Sequence, residues 1–374
     1  MIRHKWIYNC RIFECPTLIC KTIKIIWELQ LPPIKEYNKE NIDSKRGLVM
    51  KNCKMAILGA GSIAKTMART VEKMSGVRMY AVASRSIERA QAFAKEFGIE
   101  KAYGSYEDLV KDPDVELVYI ATPHSHHYEQ AKLCLQYGKH VLCEKAFPAN
   151  AKQAEEILQL AEEKRLLLTE AIWTRFLPMS AKINEIIESG TIGRPTLLTA
   201  NLGYAIDQVP RMKDPALAGG ALLDLGVYPI NFASMIFGDQ VEKVVSTAQL
   251  TERGVDAQNS ITLCYPQGRM AVLHSTMLSL SDRQGVVNGT DGYLIADNIN
   301  NCERIRVYNQ DREEVASYDR PAQITGYEYE VEAAVRAIQN GEIECPQMPH
   351  KETLRIMRLM DSLRQEWGVT FPFE

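Results

Sequence analysis

Apolar residues follow two rhythms along this chain, and the change between them divides it. From about residue 50 to 171, short apolar runs alternate with stretches in which apolar positions recur every three or four residues. The runs at 54–58, 77–83, 117–121, 140–143 and 166–169 read as strands. Helices are predicted between them: from about Ile63, up to Gly98, near 106–110, up to Gly138, and over "AKQAEEILQLAEEK". Apolar strands separated by helices predict a parallel sheet covered on both faces.

Beyond residue 171 the rhythm shortens. "PTLLTANLGYAI" follows a helix closed by Gly190 and Gly193. "SITLCYPQGRMAVLHSTML" alternates around a Pro-Gln-Gly turn, as a hairpin does, and "DGYLIADN", "ERIRVYNQ" and "EEVASYD" are further short strands. A helix over 353–367 closes the chain. The class is therefore α/β: a doubly wound parallel sheet over 50–171, then an α+β domain over 172–374 with a large open, mainly antiparallel sheet. One face of that sheet is left to pack on helices or a second copy, which predicts a homodimer or homotetramer.

Residues 1–49 fit neither rhythm. They are basic, charge interrupts them every few positions, and their apolar runs are too short for a membrane span. They read as an extension outside both domains, with Met50 or Met55 as an alternative start. Hydrophobic residues at 46% and charged residues at 24% are soluble-protein proportions, and a net charge of -3 offers no attraction to nucleic acid or an anionic membrane. The nine cysteines form no Cys-x-x-Cys pair, which points to a reducing, cytoplasmic setting.

The first candidate chemistry is "GAGSIA", Gly59 to Ala64, set between a strand and a helix. Gly59 allows a tight turn, Gly61 lets backbone approach a pyrophosphate, and Ser62 and Ile63 open the helix whose N-terminus favours the anion. An NAD site ordinarily carries an acid after the second strand, to bind the ribose hydroxyl. This chain has Ser84 and Arg85 there, which suit a 2'-phosphate, so NADP is expected ahead of NAD.

"ATPHSHH" follows the fourth strand. Thr122, Pro123 and the histidines fall at the strand edge where ligands bind in such sheets, and His127 begins the next helix. Three histidines in four positions lack further ligands at a metal-binding spacing, so no metal is assigned and the roles of His124 and His126 stay open. "HVLCEK" brings Glu144 and Lys145 to the same edge. A lysine there can bind the nicotinamide ribose and direct its charge at the reacting carbon–oxygen bond. In "GGALLDLGVY", Asp224 and Tyr228 are spaced for one helical face. The Lys145 ammonium is expected to lower the pKa of the Tyr228 phenol and so suit it to proton transfer.

Together these segments resemble the glucose-fructose oxidoreductase / inositol dehydrogenase (Gfo/Idh/MocA) family from about residue 55 to the C-terminus. The resemblance implies an NAD(P)-dependent oxidoreductase acting on a carbinol of a sugar, polyol or trans-dihydrodiol, with Lys145, Tyr228 and Asp224 at the reacting centre. The family's Glu-Lys-Pro stands here as Glu144-Lys145-Ala146. A tyrosine at 228 is similar to the sugar oxidoreductase and dihydrodiol dehydrogenase branch. "EAIWTRFLP" resembles the same branch and implies that Trp173 and Arg175 lie near the cofactor. Two alternatives stay open: a redox-assisted glycosidase on the same fold, and a catalytically silent cofactor sensor.

Overall fold

The computed structural model describes residues 52–374. The segment 1–49, read above as an extension, lies outside the described residues. In the first half, strands β1 (Cys53–Leu58), β2 (Val77–Ala83), β3 (Lys101–Tyr103), β4 (Leu117–Ile120), β5 (His140–Glu144) and β6 (Leu168–Ala171) form one parallel sheet in the order β3-β2-β1-β4-β5-β6. Helices α1 (Ser62–Glu72), α2 (Ile87–Phe97), α3 (Tyr106–Val110), α4 (His127–Gln136) and α5 (Ala151–Lys164) connect them. β1, β4 and β5 are buried along almost their whole length, which is why they read as continuous apolar runs. The register pairs Leu58 with Ile120, Ile120 with Cys143 and Glu144 with Ala171. Four strands therefore end level, and the chain after each emerges at one edge.

The second half, reached through α6 (Pro178–Glu188), is an eight-stranded sheet. Its strands are β7 (Pro195–Gly203), β8 (Lys243–Leu250), β9 (Asp256–Tyr265), β10 (Arg269–Thr276), β11 (Gly285–Gly289), β12 (Gly292–Asp297), β13 (Arg304–Asn309) and β14 (Glu314–Asp319), in the order β14-β13-β12-β11-β7-β10-β9-β8. The Pro-Gln-Gly hairpin joins β9 to β10 as expected. The sheet is antiparallel except between β7 and β10, which run parallel. Leu263, Ala271, Leu198, Val287, Leu294 and Val307 form one cross-strand row, and all are buried. Helix α7 (Val227–Phe237) packs on β7 and β10 from this side. One residue along each strand, the other face points outward.

Two helices close the chain, α8 (Glu328–Asn340) and α9 (His350–Trp367). The last begins three positions earlier than expected, with Pro349 preceding its first turn. Both return to the parallel half: α8 packs on β5 and α9 on α5.

Candidate active site

The aligned strand ends open into a cleft of about 630 Å³ between the two sheets. Gly61, Ser62 and Ile63 form one wall. Gly59 has φ of 101°, and a Cβ there would fall 2.8 Å from the Ala121 carbonyl oxygen, so only glycine permits this turn. At Gly61 a Cβ would meet nothing within 4 Å and would only occupy open space. Gly61 also caps α1 without a side-chain hydrogen bond, and the first turn holds no acid. Its amide N–H groups are left for an anion. A dinucleotide pyrophosphate fits such a cradle.

Lys145 follows the last residue of β5 and enters the cleft from the opposite side, and the Lys145–Ala146 peptide is cis. Its Nζ donates to the Asp224 main-chain oxygen at 2.9 Å and to Asp224 Oδ1 at 3.1 Å. Arg211 donates to both carboxylate oxygens at 3.2 Å. Burial opposes ionisation of Asp224, but Lys145 and Arg211 outweigh it and hold the carboxyl well below its usual range.

Asp224 belongs to a π-helical turn, Leu222–Gly226, that leads into α7, a kind of local widening frequent at functional sites. The turn is anchored by Asp256, whose carboxylate accepts the Leu222 N–H at 2.7 Å. A side chain at Gly220 would collide with that same carboxylate, and one at Gly219 with the Met212 carbonyl, so the pair of glycines lets the Arg211 loop close against the turn. Asp224 and Tyr228 thereby face one cleft.

One expectation about this group is not met. Burial raises the Tyr228 phenol well above its usual pKa, and Tyr327, Glu144, Asp224 and Glu330 add to the rise. Lys145 does not reverse this, because its Nζ lies over the ring, 5.2 Å from the centroid, and its charge is bound to Asp224. Tyr228 is therefore a neutral phenol at ordinary pH.

The remaining expected residues divide between wall and support. Thr122, Pro123, Glu144 and Trp173 line the cleft, as does His124. Burial lowers the His124 pKa to about 3, so the ring is neutral. With Nδ1 donating to Ala218 O at 3.2 Å, Nε2 is left as an acceptor beside Asp224. His127 begins α4 but does not line the cleft. It is fully buried, with ring nitrogens 2.6 Å from Phe147 O and 2.7 Å from Thr122 O, and so ties the Thr122 loop to the turn after Lys145. Ser84 is buried at the end of β2, while Arg85 is exposed and has no ion-pair or hydrogen-bond partner among the described residues.

Arg175 is a correction. The short turn Trp173–Phe176 sends Trp173 into the cleft and Arg175 away from it. Arg175 is instead buried against Glu352 at 2.5 Å, Asn231 at 2.5 Å and Ser234 at 3.1 Å, where it joins α7 to α9.

Several lining groups carry no local signal in the sequence. Tyr204, Ile206, Val209 and Arg211 come from the loop after β7, Asn300 from the β12–β13 connection and Tyr327 from the residue before α8. Trp173 stacks on Tyr327 with ring centroids 4.2 Å apart and donates to Asn300 Oδ1 at 2.8 Å.

Two family models match the chain: "Oxidoreductase family, NAD-binding Rossmann fold" over residues 53–171, and "GFO/IDH/MocA C-terminal domain" over residues 180–295. Trans-1,2-dihydrobenzene-1,2-diol dehydrogenase of Xenopus tropicalis is 35% identical over 85% of this chain and 99% of its own. The chain belongs to the Gfo/Idh/MocA oxidoreductase family. The human enzyme of the same name is 37% identical over 79% of this chain and 90% of its own. Among solved structures, the Gfo/Idh/MocA chain is similar to KijD10, a 3-ketoreductase from Actinomadura kijaniata solved with NADP and TDP-benzene. The TM-score is 0.77 at 26% identity, covering 84% of this chain and 97% of that one.

Proposed function

We propose that this oxidoreductase is an NADP-dependent dehydrogenase of a small cyclic vicinal diol or related sugar carbinol. The observation that carries the reading is the meeting of Lys145, Asp224 and Tyr228 in the cleft that the glycine loop opens into. When bound, the nicotinamide supplies hydride transfer. The chain's own residues supply placement and proton handling. Asp224 fixes the Lys145 ammonium, which has a donor left to orient the carbinol oxygen. Tyr228, whose hydroxyl has no partner among the described residues, exchanges the proton of that oxygen.

The walls favour a compact substrate with few hydroxyls. The Trp173 N–H, the Asn300 amide and the Asp224 carboxylate are already paired within the protein. Polar capacity is left at Lys145, Tyr228, the Tyr204 and Tyr327 hydroxyls and the His124 Nε2, while Ile206, Val209, Leu225 and the Trp173 ring offer apolar surface. The diol named for the relatives above has this character, and the NADP of the ketoreductase agrees with the exposed, unpaired Arg85. Assembly as a homodimer through the open sheet face belongs to the same reading.

The test is steady-state nicotinamide absorbance with NADP or NAD against cyclic trans-diols, aldoses and open polyols. Net reduction of NADP, fastest with a cyclic diol, is expected. No net cofactor turnover with any of them would overturn the reading.

A further inference from the structure

Two carboxyl groups lie behind Lys145 that the reaction as described leaves idle. Glu144 ends β5, and its buried side chain reaches the cleft. One oxygen accepts the Tyr119 hydroxyl, and the other accepts the Lys145 main-chain N–H at 3.2 Å. Glu330 stands on α8, which packs on β5. It is fully buried, and neither of its oxygens has a hydrogen-bond partner among the described residues. Tyr327, one turn earlier on the same helical face, lines the cleft.

The titratable groups acting on this pair are Tyr119 on β4, Cys143 and Lys145 on and after β5, Glu170 on β6, Asp224 and Tyr228 across the cleft, Tyr327, and Cys345. Lys145 alone among these is a cation, and it is bound to Asp224. An unpaired carboxylate in a dry interior is costly, and two neighbouring carboxyls do not both ionise there. Burial and the Glu144 charge push Glu330 well above the carboxylate range, and burial pushes Glu144 up as well. Glu330 is therefore a neutral acid beside an anion.

Tyr228 needs such a neighbour. A neutral phenol can take the substrate's proton only by passing on its own. Asp224 is a poor acceptor, because Lys145 and Arg211 keep its proton affinity low.

We propose that Glu144 and Glu330 are the proton store of the site, holding one proton at rest, on Glu330, and taking up a second, on Glu144, when the substrate hydroxyl is oxidised. This rests on the dehydrogenase reading given above. In the step, the carbinol C–H bond breaks and its electron pair leaves as hydride to the oxidised nicotinamide, while the O–H bond breaks and a carbon–oxygen double bond forms. The hydroxyl proton passes to the Tyr228 oxygen, the phenol's own proton passes to the pair, and the pair then releases it to solvent.

The test has two arms. Infrared spectra of the cofactor-free protein at neutral pH should show a protonated carboxyl band that Glu330→Gln removes, with Glu330→Leu as a second variant. Glu144→Gln should cut turnover by roughly 10²-fold, the scale of positioned proton transfer. Its residual rate should go on climbing with pH where the wild type is flat, because the phenol must then ionise first. Thermal unfolding and NADP affinity establish that each variant is folded. An unchanged carboxyl band in both Glu330 variants overturns the stored proton, and it does so whether or not the substrate reading holds. A Glu144→Gln profile of wild-type shape overturns the store. If no substrate is turned over, the dehydrogenase reading fails, while the infrared arm still decides the stored proton.

Discussion

At the scale of single residues, the proposed reaction makes Tyr228 and Lys145 one unit although the ammonium does not ionise the phenol. In that reaction Lys145 would hold the oxygen that Tyr228 must reach, so removing either would leave the other without a task. Lys145→Met and Tyr228→Phe should each lower turnover by roughly 10²-fold or more. The double variant should be little worse than either, since members of one unit are not additive. Turnover and NADP dissociation constants for the three variants check this, and losses that multiply would mean that the residues act separately. Arg85 does not line the cleft. Exposed and unpaired, it should contribute about 1–3 kcal/mol to NADP binding through charge-assisted contact with the 2'-phosphate. Titration of Arg85→Ala with both cofactors should show NADP weakened and NAD nearly unchanged. These residues were legible because each stands at a strand end or in a glycine-marked turn, where position follows from local pattern. Arg211, Asn300 and Tyr327 were not, because tertiary packing alone brings them to the cleft from segments with no such mark. Arg175 misled because a short turn places neighbouring residues on opposite sides, and no pattern in "WTRF" says which side meets the cleft.

At the scale of elements, the errors come from buried polar groups and exposed apolar ones. The strand expected at 166–169 is Leu168–Ala171, since it carries the buried Glu170 where an apolar residue would signal continuation. β8 was missed because its residues are exposed and half-buried in turn, so neither face reads as core. Glu170 has a testable cost. Burial raises its carboxyl to about 7, against the pull of the Phe147 N–H and Arg175. A carboxyl raised in the folded state adds stability below its unfolded value of 4.5 and loses it as pH rises toward 7. The loss over that window should be about 3 kcal/mol, and no further loss from this group follows above it. Glu170→Gln should be more stable than the wild type well above pH 7 and should lose the advantage near pH 4.5. Denaturant unfolding across that range checks it, and a difference independent of pH would mean that Glu170 stays ionised in the fold.

At the scale of the whole molecule, the open face of the eight-stranded sheet is the surface through which the proposed dimer would form. Val245, Thr262, Val272, Thr199, Val286 and Ile295 form one cross-strand row from β8 to β12. Leu197 and Met270 lie beside it, each 38% exposed, and Val245 is 51% exposed. Tyr293 and Tyr308 stack on the same side with centroids 4.7 Å apart. The row turns charged only at its far end, where Arg306 pairs with Asp297 at 2.9 Å. A monomer rarely leaves such a patch in water, and a mainly antiparallel sheet needs cover on just one face. Two copies meeting face to face about a two-fold axis would cover both patches at once, with the apolar strands β10, β7 and β11 at the centre and the charged β13 end at the rim. The wild type should therefore sediment as a dimer. Val272→Lys combined with Val286→Lys puts two ammonium groups into each patch, doubled by the symmetry, and should weaken association by at least ~10²-fold, as two buried unpaired charges would. The outward-facing positions leave the core row untouched, so the monomer should keep its fold and its NADP affinity. Sedimentation velocity over a concentration series reads the first effect and cofactor titration the second. A double variant that stays dimeric would place the interface elsewhere on the molecule, and a wild type that is monomeric throughout would remove the dimer altogether.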